Sequence, residues 1–328
     1  MKIRIIFWTM MTVVITATGI LVWFHRSSSA QIRTQTQTIS TVAKATIQVV
    51  SPNLAVAHQP VQTAKLQEQP TSDIQTIINA RADYHARLEN IQALTGKLTD
   101  LDREALYGFL RERGSDDDQQ SEQVLKNQLL DALCEMQPPP QGLGELLSQI
   151  YQDHNQNIVL RDYAVQHLTV YYKQMAGASD VEDQTRNDEL KLAQQTLWQA
   201  VNETDNSIAG TALLGLTRLS QEGFSDIDQA KIADKALDMA DQNGNELTRI
   251  TAFQVCASLN VKDVLPMALG AAEQGETESV EISAIGALGL LGGKDQLPFL
   301  SGVLQGNDER LKLPAEQAMN RINQRLQQ

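Results

Sequence analysis

Residues 280–291 read Val280-Glu-Ile-Ser-Ala284-Ile-Gly-Ala-Leu288-Gly-Leu-Leu291. An apolar residue comes first, a small residue follows four positions later, and apolar residues return four and seven positions after that. Because an α-helix turns once in about 3.6 residues, these positions share one helix face. The same frame, more loosely in some cases, begins at five other positions: Leu125, Leu160, Ile208, Thr248 and Leu311.

The small residues of successive frames are 31 to 48 residues apart. A helical period of that length, with no strand pattern between the frames, predicts stacked helix pairs. Asp263-Val-Leu-Pro266 and Asp295-Gln-Leu-Pro298 are 32 residues apart, as are Gly270 and Gly302, which indicates a duplication. The longest interval contains an acidic insert, residues 178–188, which we expect to form a surface loop.

The amino terminus carries the strongest indication of cellular location. The twenty residues that begin with Ile5 and end with Phe24 carry no charge. As a helix they would span about 30 Å, the thickness of a bilayer's hydrocarbon core. Lys2 and Arg4 precede this run, so the positive-inside rule predicts a cytoplasmic amino terminus and an extracytoplasmic repeat domain. The alternative is a signal peptide cleaved near Ala30, which predicts a secreted protein.

Four segments follow from these patterns. Residues 1–26 are predicted as a signal anchor or transmembrane helix, and residues 27–73, rich in Gln and Thr, as a flexible linker. Residues 74–97 are predicted as one long lead-in or capping helix, since apolar residues recur there with helical spacing. Residues 98–328 are predicted to form the repeats.

Charge and cysteine content narrow the possible partners. The net charge is −13, and it divides into +4 up to residue 75 and −17 beyond it. Such an acidic body repels phosphate backbones, so we expect no nucleic-acid partner. The two cysteines, Cys134 and Cys256, lie in frames far apart along the stack and are expected to be buried and unbridged.

The segments Val280-Glu-Ile-Ser-Ala284-Ile-Gly-Ala-Leu288-Gly and Leu160-Arg161-Asp-Tyr-Ala164 resemble inner helices of HEAT repeats, the armadillo-type α-solenoid family. The resemblance covers about residues 98–328 and implies a right-handed α-α superhelix, preceded here by the predicted transmembrane helix and linker. Ala209 and Glu281 depart from the family pattern, since a basic residue is usual there. Proteins of this family are typically scaffolds and adaptors that bind partners along a helical surface.

The sequence shows little that predicts catalysis. None of the five histidines is followed by Glu, whereas the di-iron hydroxylases built on HEAT repeats are recognised by His-Glu dipeptides. His167, beside Leu168, is expected to be a structural histidine. No phosphate loop, nucleophile elbow or zinc-type cluster occurs in the sequence, so we expect no catalytic residue, metal or cofactor. The alternative, a HEAT-like lyase or enzyme subunit, would need a deep pocket with converging polar groups.

Two groups of residues are candidates for partner binding. A basic residue comes directly after the first frame position in four repeats: Lys126, Arg161, Arg249 and Lys312. Stacking would align these residues as a basic ladder, which either pairs with acids of neighbouring turns or binds an acidic peptide. Tyr171 and Tyr172 belong to a tyrosine-rich repeat and either fill the core or anchor a partner. The sequence thus predicts a membrane-tethered, exported scaffold that binds a protein or peptide.

Overall fold

The computed structural model of the chain describes residues 69–113, 119–179, 181–241, 244–273 and 276–328. The predicted transmembrane helix and all but the last five residues of the predicted linker lie outside the described residues. Within these ranges the chain forms fourteen α-helices and no β-strand. The all-α prediction is therefore confirmed for the described residues.

The helices follow one another in seven pairs. In chain order they are α1 Ser72–Ile78, α2 Tyr84–Gln92, α3 Asp100–Arg111, α4 Gln119–Glu135, α5 Leu143–Gln152, α6 Ile158–Gly177, α7 Asp183–Ala200, α8 Ile208–Gln221, α9 Gln229–Asp241, α10 Glu246–Ser258, α11 Leu265–Glu273, α12 Glu278–Leu291, α13 Leu297–Gln305 and α14 Glu309–Leu326. Short 3₁₀ helices, Lys262–Val264 and Lys294–Gln296, lead into α11 and α13. These two occupy corresponding places in the duplicated repeats.

Two layers of helices run along the repeat domain. Each even-numbered helix packs against the even-numbered helix of the next pair, from α2 to α14 without a break. We call this the even layer, and the odd-numbered helices form the odd layer. Within the odd layer, α1, α3, α5 and α7 pack in succession, and α9 packs against α11. This is the stack of helix pairs that the repeat period predicted, whereas the right-handedness of the superhelix stays a prediction.

Side-chain caps mark where the helices begin. Asn157 caps α6, Asn245 caps α10 and Asp308 caps α14, each accepting hydrogen bonds from backbone N–H groups of the first turn. These caps satisfy donors that have no partner within the helix. Asp83 does the same for α2, through His85 N at 3.0 Å and Ala86 N at 3.1 Å.

The structure corrects two expectations about helix boundaries. Residues 74–97 were expected to form one long helix, but α1 ends at Ile78 and α2 begins at Tyr84. The physical reason is the Asp83 cap, because a capping residue has a non-helical backbone and starts a new helix. The acidic insert at 178–188 is also not wholly a loop, since α7 begins at Asp183 within it.

The repeating frame builds the core. Leu160, Ala164, Leu168 and Tyr171 are each at most 1% exposed, and Ala284 and Leu288 are fully buried. Cys134 and Cys256 are both buried and free, as the sequence predicted. Burial raises the pKa of each thiol to about 12, so both are protonated at neutral pH.

Small residues let adjacent helices of the even layer approach closely. A Cβ placed on Gly289 of α12 would lie 2.6 Å from the Cα atom of Ala318 on α14. A Cβ on Gly286, three residues earlier on the same helix, would meet nothing within 4 Å. The two glycines therefore differ in surroundings while sharing the same helix.

We expect Gly289→Ala to destabilise the protein by about 1–3 kcal/mol, because the backbone of α14 must move to admit the methyl group. Gly286→Ala should instead stabilise it by about 0.5–1 kcal/mol, since alanine favours a helix interior over glycine. Urea unfolding of the two variants measures both free energies. Equal effects from both substitutions would contradict the close approach of α12 and α14.

Candidate interaction surface

Arg161 ties two helix pairs together. Its Nε donates to the carbonyl oxygen of Tyr151 at 2.7 Å, in the last turn of α5. Its two terminal nitrogens donate to the carboxylate of Glu203, at 2.8 Å and 2.7 Å, in the connection between α7 and α8. Burial alone would raise the pKa of Glu203, but hydrogen bonds from Arg161 and Asn206 lower it. Arg161 thus donates to a carbonyl group at the carboxy-terminal end of α5 and neutralises the charge of Glu203, which belongs to the next helix pair.

Two other basic residues share the first of these roles. Lys126 Nζ donates to the carbonyl oxygen of Glu112 at the end of α3. Arg87 Nε donates to the carbonyl oxygen of Ile77 at 2.8 Å, in the last turn of α1. Both cations lie near the ring of Phe109, Lys126 Nζ at 5.3 Å and Arg87 Cζ at 5.1 Å from its centre. Burial lowers the pKa of Lys126.

Sequence reasoning missed Arg87. The signal that could have found it is weak, because Asn90 stands four residues after Ala86, where the frame expects a small apolar residue. The contact that gives Arg87 its role is made with the preceding helix, ten residues back. Its position in the ladder is therefore evident only once α1 and α2 are seen as a pair.

Arg249 and Lys312 have different surroundings. Arg249 pairs with Glu276 in the connection between α11 and α12, which corresponds to the Arg161–Glu203 pair. Lys312 bonds instead to Glu309 of its own helix, at 2.6 Å, and its side chain is 33% exposed. Of the four residues predicted to form the ladder, Lys126, Arg161 and Arg249 are buried and connect helices. Lys312 does not share this role.

Tyr171 and Tyr172 belong to the core. Each is 1% exposed. The Tyr171 hydroxyl donates to Glu189 at 2.9 Å, and the Tyr172 hydroxyl donates to Asp226. Burial raises the pKa of both phenols. Partner binding by the six predicted residues stays a prediction, and all of them except Lys312 are buried in this structure.

The even layer presents a different face to solvent. Each even helix from α4 to α14 has four residues that lie one before, and three, six and ten after, its first frame position, and in α8 the first of them is the N-cap residue Ser207. Their i, i+4, i+7, i+11 spacing places them on one helix face. We call this set the exposed stripe: Val124, Gln128, Asp131, Glu135; Val159, Tyr163, Gln166, Val170; Ser207, Thr211, Leu214, Arg218; Leu247, Thr251, Gln254, Ser258; Ser279, Ser283, Gly286, Leu290; Arg310, Pro314, Gln317, Arg321. Every one of them is exposed or half-buried.

Exposed apolar side chains concentrate on this layer. Among the described residues, nine large apolar side chains are exposed, and Leu101 is the one that lies in the odd layer. Five belong to the exposed stripe: Val124, Val159, Val170, Leu247 and Leu290, between 41% and 57% exposed. Large exposed apolar side chains are therefore more frequent on the even layer than on the odd layer of the described residues.

The middle of the exposed stripe is almost without charge. Its sixteen positions on α6, α8, α10 and α12 include one charged residue, Arg218. By contrast, 20% of all residues in the chain are charged. The stripe therefore departs from the acidic character of the rest of the body.

A cleft of about 660 Å³ lies between α2 and α4, and Gln128, Asp131 and Glu135 of the stripe line it. His167 of α6 lies close to Asp131, with its Nε2 3.3 Å from Asp131 Oδ1. His167 is buried as predicted, but neither ring nitrogen makes a hydrogen bond in the described part of the chain. Burial lowers the pKa of His167 to about 4, so the ring is neutral at pH 7.

The residues that the structure describes contain no group of three or more His, Cys, Asp or Glu side chains arranged to hold a metal ion. In the same residues no helix combines the length and apolar character needed to cross a bilayer. The apolar run at residues 5–24 lies outside them.

We expect Arg161→Met to destabilise the protein by about 2–4 kcal/mol, because Glu203 and the Tyr151 carbonyl would lose a buried partner. Arg161→Lys should recover only part of this loss, since an ammonium does not match the two-point contact. Lys312→Met, which removes an exposed pair, should change stability by about 0.5 kcal/mol or less. Denaturant unfolding of all three variants tests the difference, and a small effect of Arg161→Met would contradict the tie.

Comparisons with known proteins give the following. A family model described as HEAT repeats matches residues 233–320, from α9 to α14. No curated protein matches the sequence.

Solved structures give distant likenesses. Human deoxyhypusine hydroxylase in complex with glycerol is 16% identical with a TM-score of 0.32, covering 77% of this chain and 95% of that one. Kap121p is 13% identical with a TM-score of 0.35, covering 74% of this chain, which spans about a third (34%) of Kap121p. Neither likeness is close enough to bear on fold or function. The family match shows that residues 233–320, where the helix pairs carry the recurring frame, are similar to HEAT repeats.

Proposed function

We propose that this protein is a scaffold that binds a protein or peptide partner on the exposed stripe of its even layer. The observation that carries the proposal is the nearly uncharged middle of the stripe on an otherwise acidic body. The proposed role is binding and involves no chemistry. It moves the binding surface from the buried basic ladder to the solvent face of the same helices.

Desolvation explains why such a surface suits binding. Burying an ionised side chain beneath a partner costs several kcal/mol unless the charge finds a counterpart. The stripe instead offers the exposed amide side chains of Gln166 and Gln254, which can donate hydrogen bonds to a partner's backbone and accept them from it. Exposed Val170 and Leu290 add apolar area. Interface centres are depleted of charge in the same way.

Contacts between the helix pairs keep the stripe in one arrangement. Thr248 Oγ1 donates to the carbonyl oxygen of Asn206 at 2.8 Å, which joins α10 to the start of α8. Thr277 Oγ1 donates to Glu246 Oε1 at 2.7 Å, which joins the start of α12 to α10. Since ordering a surface on binding lowers affinity, a surface ordered beforehand binds more tightly.

The proposal includes export and a membrane tether. The support is the uncharged run at residues 5–24 with Lys2 and Arg4 before it. A tether would confine the repeat domain to the region next to the membrane and raise the local concentration of partners there. The secreted alternative, with cleavage near Ala30, keeps the same binding surface.

A pair of glycines tests the binding surface. Gly286 belongs to the stripe, whereas Gly302 lies on α13 of the odd layer, and a Cβ on either would meet nothing within 4 Å. We expect Gly286→Arg to abolish cross-linking to a recurring partner in cells, because it adds bulk and charge to the stripe. Gly302→Arg, the matched control, should retain it. Cross-linking with mass spectrometry measures both, and equal partner recovery from the two variants would sink the proposed surface.

Membrane attachment is tested separately. The full chain should remain in the membrane pellet after alkaline carbonate extraction, and a chain lacking residues 1–26 should be released. An intact-mass measurement on the released and pelleted protein shows whether cleavage occurs near Ala30. Full-length protein in the soluble fraction would contradict the tether.

A further inference from the structure

The charged residues of the exposed stripe are distributed unevenly along the stack. The stripe residues of α4 include Asp131 and Glu135, whereas those of α14 include Arg310 and Arg321. The single charge between these ends is Arg218 on α8. The stripe is therefore acidic at its amino-terminal end, nearly uncharged in the middle and basic at its carboxy-terminal end.

Local pairing decides which of these charges face a partner. Arg310 is engaged by Asp308 at 2.6 Å and by Glu278 at 3.1 Å, so its charge is largely compensated. Arg321 is exposed, and Arg325 follows one turn later on the same helix. At the other end, Glu135 is exposed and the Asp131 side chain is 48% exposed. At the two ends of the stripe, the charges that are left to face a partner are therefore Glu135 on α4 and Arg321 on α14.

One stripe position has an acidic residue at the first helix and a basic residue at the last, with Arg218 as the one charged residue between them. The residues ten positions after each frame start, from α4 to α14, are Glu135, Val170, Arg218, Ser258, Leu290 and Arg321. Of the three uncharged members, Val170 and Leu290 are apolar and Ser258 is polar. All six members are exposed. These positions form a row that crosses the even helices one after another.

The length of the row limits the shape of the partner. Packed helices are about 8–10 Å apart, so five steps from α4 to α14 cover about 40–50 Å. An extended chain rises about 3.3 Å per residue and covers that distance with about 12–15 residues. A helix would need roughly 30 residues to cover the same distance. The shorter segment is the simpler match to a row of single side chains.

We propose that the partner presents an extended segment of about 12–15 residues that lies across the even helices. Its end over α4 carries basic side chains, its middle is uncharged, and its end over α14 carries acidic side chains. The inference rests on the proposed function and adds the partner's charge pattern and orientation. A segment with the opposite pattern would place like charges against Glu135 and Arg321, and like-charge contacts disfavour the wrong orientation.

Peptide libraries test the inference with the full chain. The probe library contains 14-residue peptides with two lysines at one end, two glutamates at the other and ten randomised uncharged residues between, in both chain directions. The matched libraries carry lysine pairs at both ends or glutamate pairs at both ends. We expect the tightest binders to come from the probe library. Equal yields and affinities from all three would overturn the inference.

Charge reversal at each end identifies the contacts. Glu135→Lys and Arg321→Glu should each weaken a selected peptide about fivefold or more, measured by fluorescence polarisation, since an exposed ion pair is changed to a repulsion. Replacing the lysine pair of the peptide with glutamates should restore its binding to Glu135→Lys. Asp234→Lys, a reversal at an exposed residue of α9 in the odd layer, is the matched control and should leave affinity unchanged.

The outcomes separate this inference from the proposed function. Peptides that lose binding on Gly286→Arg but ignore Glu135→Lys and Arg321→Glu would overturn the charge pattern and leave the binding surface intact. Peptides that ignore Gly286→Arg as well would overturn both. Loss on each reversal, with rescue by the charge-swapped peptide, would establish the orientation.

Discussion

The close approach of neighbouring helices in the even layer is the constraint on which the rest of the structure depends. Gly289 meets the backbone of Ala318, and a Cβ on Gly215 would lie 2.2 Å from Thr169 Oγ1. A side chain at Gly289 would displace the backbone of α14, and one at Gly215 would displace the Thr169 hydroxyl, so small residues are favoured where these helices meet. Once the helices pack at this distance, their positions relative to one another are narrowly determined, and both the buried ties and the solvent face follow.

Buried cations become useful because of this packing. A guanidinium or ammonium removed from water needs several hydrogen bonds, and helix carboxy termini supply carbonyl oxygens that lack partners within the helix. Arg161 finds such a carbonyl at Tyr151 and a carboxylate at Glu203, while Arg249 finds Glu276. The basic ladder thus orders the connections between pairs. Where the ladder is interrupted at Glu281, burial raises the pKa of that carboxyl.

The two faces of each even helix have different structural roles. One face packs and carries the ties, and the other carries the exposed stripe. Because both faces repeat with the helix pairs, a surface several helices long arises from short local patterns. The stripe's nearly uncharged middle and opposite charged ends give that surface a direction, which a single globular patch of the same area would lack.

How much of the fold could be predicted from the sequence depends on how far apart along the chain the interacting residues are. Helix pairing, the buried frame and the unbridged cysteines were predictable because periodicity of about 3.6 residues records which face of a helix avoids water. The break between α1 and α2 was not recognised, since the Asp83 cap at the start of α2 is a single local signal. The positions of the exposed stripe could be predicted from the frame, because they lie on the part of each helix that the frame leaves free. It could not be predicted that the basic ladder lies apart from the stripe.

The sequence by itself determined that this chain is a stack of helix pairs, because the spacing of apolar and small residues acts locally along each helix. Only the tertiary structure decided that Arg161 and Arg249 are ties within the body and that Tyr171 and Tyr172 belong to the core. The physical reason is that burial depends on groups brought near from far along the chain. Glu203 is 42 residues from Arg161, and no local pattern records that distance.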